Sequence, residues 1–280
     1  MSAAIDGEQQ KRAVQQVFDR LAAGYDNPAT RFFPFCADRL VRFVKPQPAT
    51  RVLDVATGTG AAALPFAQAI GPQGRVQAID ISAAMLDRAE ANIRKMALSN
   101  VDLQQMDAER LDFKSGYFHT VVCSYGLFFL PDMQAALREW VRVLRPGGSL
   151  AFTCFEDSAF SPLLDDFVEK LRAFGVQLPE GPFGSRRITS LAHCRELLAG
   201  AGLEAIEAEQ VQVGYHLRDE NDWWEVVQTT AMRTLFEQVP AEQQEAFRAQ
   251  HLAFVAQQKT ADGVWMDVLT RFAGGTKPAG

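Results

Sequence analysis

Asp54, Asp80 and Asp107 close or follow three short runs of β-branched and apolar residues, Arg51–Val55, Arg75–Asp80 and Val101–Met106. Carboxylates at the ends of successive parallel strands share one edge of a sheet, where they can accept hydrogen bonds from the hydroxyls and amino groups of a nucleoside. Between the first two runs lies Ala56-Thr57-Gly58-Thr59-Gly60, a turn whose glycines let a ligand approach the backbone without meeting a Cβ. Asp80 stands twenty residues past Gly60, the spacing at which an acid meets both hydroxyls of a ribose. Asp107, beside Ala108, is placed for an adenine amino group.

Gly58-Thr59-Gly60-Ala61-Ala62-Ala63 also fits the dinucleotide pattern GxGxxA, so an NAD(P)-dependent oxidoreductase competes as a reading. Asp54 counts against it, because a carboxylate beside the turn disfavours a pyrophosphate at the helix N-terminus. A ligand carrying an α-amino group and a sulfonium is cationic there and welcomes the acid.

The elements that must position these groups follow from apolar period and turn residues. Further strands are expected at Thr120–Ser124, Ser149–Phe155, Leu203–Tyr215 and Val264–Phe272, with helices near Ala61–Ala69, Ala83–Ala97, Pro131–Leu144 and Ser190–Leu198. Ser82 reads as an N-cap, and Pro146-Gly147-Gly148 and Gly200-Ala201-Gly202 read as helix stops. Alternating strands and helices predict an α/β fold, a parallel sheet covered on both faces. Residues 1–48 are expected to form a helical lid segment. Residues 49–280 would be one domain with helical cap insertions near 156–185 and 217–260, which hold Phe160, Phe167 and Phe183 among other aromatics.

A composition of 48% hydrophobic and 22% charged residues is that of an ordinary soluble globular protein. Its 28 basic and 34 acidic residues leave no general cationic surface for nucleic acid or an anionic membrane. The longest uncharged run, residues 55–74, is broken by Thr57, Gly58, Gly60 and Pro65, which argues against a membrane helix. No apolar stretch of a secretory signal stands at the N-terminus, and a cytoplasmic location is expected. Cys36, Cys123, Cys154 and Cys194 lie far apart with no CxxC pair, so they read as buried free thiols.

Val52-Leu53-Asp54-Val55-Ala56-Thr57-Gly58-Thr59-Gly60, Ala78-Ile79-Asp80-Ile81-Ser82, Met106-Asp107-Ala108-Glu109, Tyr125-Gly126-Leu127 to Pro131-Asp132 and Leu144-Arg145-Pro146-Gly147-Gly148 resemble successive motifs of class I S-adenosylmethionine-dependent methyltransferases. The likeness spans residues 15–272 and is strongest over 50–150. Phe18-Asp19-Arg20-Leu21-Ala22-Ala23-Gly24-Tyr25-Asp26 further resembles the N-terminal segment of the ubiquinone and menaquinone biosynthesis subgroup. Ala56 departs from the pattern, standing where the family most often has the first glycine of its loop.

The resemblance implies a Rossmann-like, doubly wound sheet of seven strands in the order 3-2-1-4-5-7-6, with only the last strand antiparallel. It implies S-adenosyl-L-methionine as cofactor and S-adenosyl-L-homocysteine as product. Ala56, Thr57, Gly58 and Gly60 would then run under the methionine part with Asp54 nearby, and Asp80 would hold the ribose. Ile81 and Met85 would pack on the adenine, whose polar edge would meet Asp107 and Ala108. Ser124 and Tyr125 would border the methionine amino group and the transferring methyl.

Methyl transfer from a sulfonium is an in-line displacement that needs positioning and exclusion of water, and an unactivated hydroxyl acceptor also needs a base. His216, on the crevice side of the sixth strand, is the histidine placed to be that base, with Tyr25 and Tyr125 as further catalytic candidates. His119, His193 and His251 read as structural or solvated. Arg31 is a candidate for the methionine carboxylate. Phe32, Phe33, Phe35, Phe128, Phe129, Phe155, Trp223 and Trp224 could line an apolar acceptor cavity. Asp219-Glu220-Asn221-Asp222, Glu156-Asp157 and Asp165-Asp166 match no metal-loop spacing, so no metal is expected. These residues together predict a methyltransferase acting on an apolar, aromatic or ring-containing small molecule, as a monomer or homodimer. O-methylation is favoured, with carbon close behind and nitrogen third. A non-catalytic S-adenosylmethionine-binding regulator is the non-enzymatic alternative.

Overall fold

The computed structural model describes residues 7–178 and 186–280. The chain opens with α1 (Gly7–Leu21) and α2 (Phe32–Val44), then alternates β1 (Arg51–Val55), α3 (Ala63–Ile70), β2 (Arg75–Asp80), α4 (Ala83–Lys95), β3 (Val101–Gln105) and β4 (Phe118–Ser124). Next come α5 (Met133–Val143), β5 (Leu144–Phe155), α6 (Leu163–Ala173), α7 (Leu191–Gly200), β6 (Glu204–Gln212) and β7 (Tyr215–Leu217). The last stretch holds α8 (Glu220–Thr229), α9 (Met232–Phe236), α10 (Gln244–Gln257), β8 (Lys259–Thr260), β9 (Gly263–Met266) and β10 (Leu269–Thr276).

The central strands are buried on both faces, which is why Val52-Leu53, Ala78-Ile79 and Val121-Val122 read as continuous apolar runs rather than alternating ones. Seven strands pair in the order β3-β2-β1-β4-β5-β10-β6, and β10 runs antiparallel to both neighbours. Helices α3, α4, α5 and α7 cover the sheet, and the Ser82 hydroxyl caps α4 by accepting from the Met85 N–H (3.1 Å). This is the Rossmann-like arrangement expected, with β10 as the reversed strand.

Two expected strands each prove to be two. Residues 203–215 divide into β6 and β7, and residues 264–272 divide between β9 and β10. At the break the Gln212 amide takes over from ladder bonds. Its Oε1 accepts from the Gly214 and Val268 N–H groups (2.8 and 2.9 Å), and its Nε2 donates to Asp267 Oδ2 (2.7 Å). A Cβ at Gly214 would lie 2.4 Å from the Met266 carbonyl, so only glycine lets the strands separate there. Beyond it β7 joins a second sheet, β7-β9-β8. Pro146-Gly147-Gly148 is likewise no simple helix stop, because it lies inside β5 where the register against β4 shifts.

The N-terminal residues do not act as one piece. α2 buries Phe32, Cys36, Ala37 and Leu40 against β4, β5 and β10, so it is a sheet-covering helix, and only residues 7–31 lie over the strand ends. Helices α6, α8 and α10 pack together as a cap, joined by α9. At their centre His251 is fully buried, which excludes a solvated role. Its Nε2 accepts from Trp223 Nε1 (2.7 Å) and its Nδ1 donates to Asp166 Oδ2 (2.6 Å). Phe183 lies outside the described residues. No described helix is long and apolar enough to cross a membrane.

Candidate active site

The carboxyl ends of β1, β2 and β3 open into a cleft. Asp54, Ala56, Thr57, Gly58, Asp80, Ile81, Met85, Asp107, Ala108, Ser124 and Tyr125 all line it, so the residues singled out across seventy positions of chain converge on one wall. Gly60 is in the turn but does not line the cleft. The Asp80 carboxylate is fixed by the Gly58 N–H (2.8 Å) and the Ser82 N–H (2.9 Å), and its burial raises its pKa. Asp54 Oδ2 accepts from the Thr57 hydroxyl (2.6 Å), while its buried Oδ1 has no hydrogen-bond partner among the described residues. Burial pushes the Asp54 carboxyl up to about 7 against the pull of that hydroxyl.

The N-terminal segment closes the cleft from above, and most of its contribution was missed in the sequence. Lys11, Val14 and Phe18 line the cleft from α1 at spacings of three and four, one face of a helix. That spacing was the signal available. Lys11 Nζ pairs with Asp107 Oδ2 and Glu109 Oε2, both at 2.7 Å. Asp19 Oδ1 accepts from the Ser82 hydroxyl (2.5 Å), and Asp26 Oδ1 accepts from the Thr59 hydroxyl (2.5 Å). The lid is therefore latched onto the same strand ends that present the acids.

A second, largely apolar cavity adjoins the cleft. Phe18, Tyr25, Phe33, Tyr125 and Phe129 belong to both, forming the wall between them. Phe32, Phe128, Phe155 and Phe160 continue the aromatic lining, and Leu164, Val168 and Arg186 with Thr230, Ala231, Met232, Thr234 and Leu235 of the α8–α9 region complete it. Tyr125 stacks on Phe155 with ring centroids 4.1 Å apart, and its hydroxyl is engaged with Thr270 Oγ1 (2.6 Å). Burial holds the Tyr125 phenol well above its ordinary range. Tyr25, stacked on Phe33, is raised too, by burial and then by the charges of Asp80 and Asp26.

Several expected residues do not reach either space. His216 sits on β7, exposed, with its ring against Trp265 (5.0 Å). Arg31 lies over the Tyr215 ring (3.8 Å) and donates to the His216 carbonyl (2.8 Å), which takes it away from the cleft. Phe35 is exposed beside Tyr215, while Trp223 and Trp224 fill the cap core against Phe160 and Phe236. The strand break at Gly214 accounts for His216 and Arg31 together, since it carries β7 out of the main sheet. The acidic groups considered for metal are spent on basic partners and caps: Glu156 and Asp157 on Arg271, Asp166 on Lys170 and His251, Asp222 on Arg218, and Asp219 on the α8 N-terminus.

A family model described as the ubiE/COQ5 methyltransferase family matches residues 5–173, more than half the chain. The chain belongs to the ubiE/COQ5 methyltransferase family. This methyltransferase is 36% identical over 173 residues to the aklanonic acid methyltransferase DauC of a Streptomyces species, covering 61% of this chain and 79% of that protein. It is 36% identical over 137 residues to the nocamycin O-methyltransferase of Saccharothrix syringae, covering 49% of each. To the demethylmenaquinone methyltransferase of Listeria monocytogenes it is 34% identical over 155 residues, covering 54% of this chain and 65% of that one. It thus spans less than two thirds of the latter two. Among solved structures, the YcgJ protein of Bacillus subtilis superposes with a TM-score of 0.57 at 20% identity, covering 87% of this chain and 98% of the other. The [4+2]-cyclase SpnF superposes with a TM-score of 0.53 at 22% identity, covering 88% and 81%. Those two likenesses establish the fold alone.

S-adenosylmethionine is accordingly the methyltransferase's cofactor, which sets aside the NAD(P) oxidoreductase reading, and the cleft fits it. A cationic amino group would satisfy the buried Asp54 Oδ1, whereas an ionised Asp54 would repel a pyrophosphate.

Proposed function

We propose that the protein methylates an apolar, ring-containing small molecule, with oxygen as the favoured acceptor atom and carbon next. The aromatic cavity that shares a wall with the cofactor cleft carries this reading. In it Asp80 takes the ribose, Asp54 the amino group, and Asp107 with Ala108 the adenine edge, while Ile81 and Met85 pack on the base. Bound S-adenosylmethionine supplies a methyl group made electrophilic by its sulfonium. Phe33, Tyr25 and Tyr125 stand between cofactor and acceptor, where their rings exclude water from the transfer.

No His, Asp or Glu lines the second cavity among the described residues, and both tyrosine phenols are held in the protonated form. The residues therefore contribute alignment, which can lower a barrier by about 7–11 kcal/mol in favourable intramolecular cases, and leave the proton to the acceptor's own acidity. Phenols, enols and acids are then better acceptors than plain alcohols. The similarity to a nocamycin O-methyltransferase favours oxygen, and the resemblance to quinone-pathway enzymes keeps carbon second.

Label transfer from methyl-labelled cofactor to paired phenols and alcohols on one ring system tests this, with product atoms read by NMR. Phenols should be methylated on oxygen. Turnover confined to unactivated alcohols, or to molecules without rings, overturns the reading.

A further inference from the structure

We infer that the acceptor carries, besides the atom to be methylated, a carboxylate that Arg186 holds on the side of the cavity away from the cofactor. The inference rests on the reading of the second cavity as the acceptor site and adds a substrate class to it. Arg186 is the one charged residue among the described residues lining that cavity, and it is absent from the wall shared with the cleft. Its anion is therefore an anchor, distinct from the reacting atom.

The segment that follows Arg186 is fastened on both flanks. Arg187 donates to the carbonyls of Phe128 (3.0 Å), Leu130 (2.6 Å) and Pro131 (3.1 Å). The buried Arg271 guanidinium donates to the carbonyls of Ile188 (2.6 Å) and Thr189 (2.9 Å). Two arginines thus fix the backbone that presents a third. Arg186 itself has only a loose ionic partner among the described residues, Asp165 Oδ1 at 3.8 Å, whose side chain is 57% exposed. That separation is beyond hydrogen-bonding range, and such exposed pairs are weak. A chain with 34 acidic residues also keeps every described one of them out of this lining. A planar guanidinium in an aromatic, partly water-excluding setting matches a carboxylate by two parallel hydrogen bonds.

The test uses the full chain saturated with S-adenosylhomocysteine and two probes of nearly equal size, 3-hydroxy-2-naphthoic acid and 3-hydroxy-2-naphthamide. Fluorescence titration should show the acid binding at least about tenfold tighter than the amide. Arg186→Gln should erase that difference by lowering the acid to the level of the amide, and Arg186→Lys should restore part of it. Affinity for S-adenosylhomocysteine should be the same in all three proteins, which shows that the fold and the cleft are intact. Equal binding of acid and amide by the unaltered protein, or an acid preference that survives Arg186→Gln, overturns the inference and leaves the ring-binding cavity standing. Failure of both probes to bind at millimolar concentration overturns the cavity reading along with it.

Discussion

The cofactor cleft takes its polar atoms from three strand ends that follow one another in the chain, while the aromatic cavity proposed for the acceptor is assembled from parts of distant segments: 18–33, 125–129, 155–168 and 186, and 230–235. The cleft recognises by fixed carboxylates, each set by a local hydrogen bond such as Gly58 N–H to Asp80. Shape and apolar surface are what the cavity offers, with a single charge. Two sites joined only by a wall of five aromatic rings should respond separately to substitution. Cofactor affinity should depend on the acids, and acceptor choice on the cap.

Asp80→Ala should give the largest effect. It removes the acceptor of two backbone N–H groups as well as the proposed ribose contact. Loss of charge-assisted hydrogen bonds of about 1.5–3 kcal/mol corresponds to about a 10- to 150-fold weaker affinity for S-adenosylhomocysteine in calorimetry. Unchanged affinity would remove Asp80 from the site, and an equal loss of acceptor binding would break the separation of the two spaces.

Met232→Trp approaches the same separation from the other side. Met232 lies on α9, half-buried, and lines the aromatic cavity but not the cleft. A larger ring there should lower kcat/KM for polycyclic acceptors about tenfold or more, with cofactor affinity within about twofold. A parallel fall in S-adenosylhomocysteine affinity would show that the cap also shapes the cleft.

The same contrast governs what could be read in the sequence. The strands and the acids at the sheet edge were legible because each is a local matter: an apolar run, a turn residue, a carboxylate at a strand end; the order of the strands came only with the family resemblance. Asp54, Asp80 and Asp107 needed no knowledge of distant chain to be placed together. His216, Arg31, Trp223 and Trp224 failed for the opposite reason. Their positions depend on a strand that changes sheets at Gly214, and on how α8 meets α6 and α10 in the cap. Neither leaves a periodic trace. Lys11, Val14 and Phe18 were readable as one helical face, yet which surface that face would cover was decided by packing against α4. Phe32, Phe33, Phe128 and Phe155 line the aromatic cavity, because they flank the strand ends directly.

A smaller effect separates the two sites by pH. The Asp54 carboxyl has a pKa of about 7 in the folded protein, against about 3.9 for an unperturbed aspartate. A raised carboxyl is bound to its proton more tightly in the folded state, so folding stability falls as pH rises from about 4 towards 7. A bound ammonium favours the ionised form, so cofactor binding releases a proton in this range. Affinity for S-adenosylhomocysteine should therefore rise with pH between about 5.5 and 7.5 and then level off. Asp54→Asn should flatten that profile, and binding of a neutral ring acceptor should show no such slope. A flat profile in the unaltered protein would mean that Asp54 does not meet the amino group.

The smallest effect lies within the cleft's own backbone. Ala56 occupies the left-handed region at φ 55°, where an L side chain costs about 1–2 kcal/mol. Ala56→Gly relieves that strain but returns about 0.4–1 kcal/mol through a freer unfolded chain, so the net gain in stability should be at most about 1.5 kcal/mol. Its consequence is sharper at Gly126. A Cβ built there would lie 2.7 Å from the Ala56 Cβ and 2.8 Å from Cys123 Sγ. Gly126→Ala should therefore cost about 1–3 kcal/mol by overpacking, and measurably less once Ala56 is glycine, because one of the two collisions is gone. Urea unfolding of the two single variants and the double variant measures that coupling. Strict additivity would mean that the methyl of Ala56 does not collide with the one introduced at position 126. The alanine at position 56 would then be a local strain with no partner across the cleft.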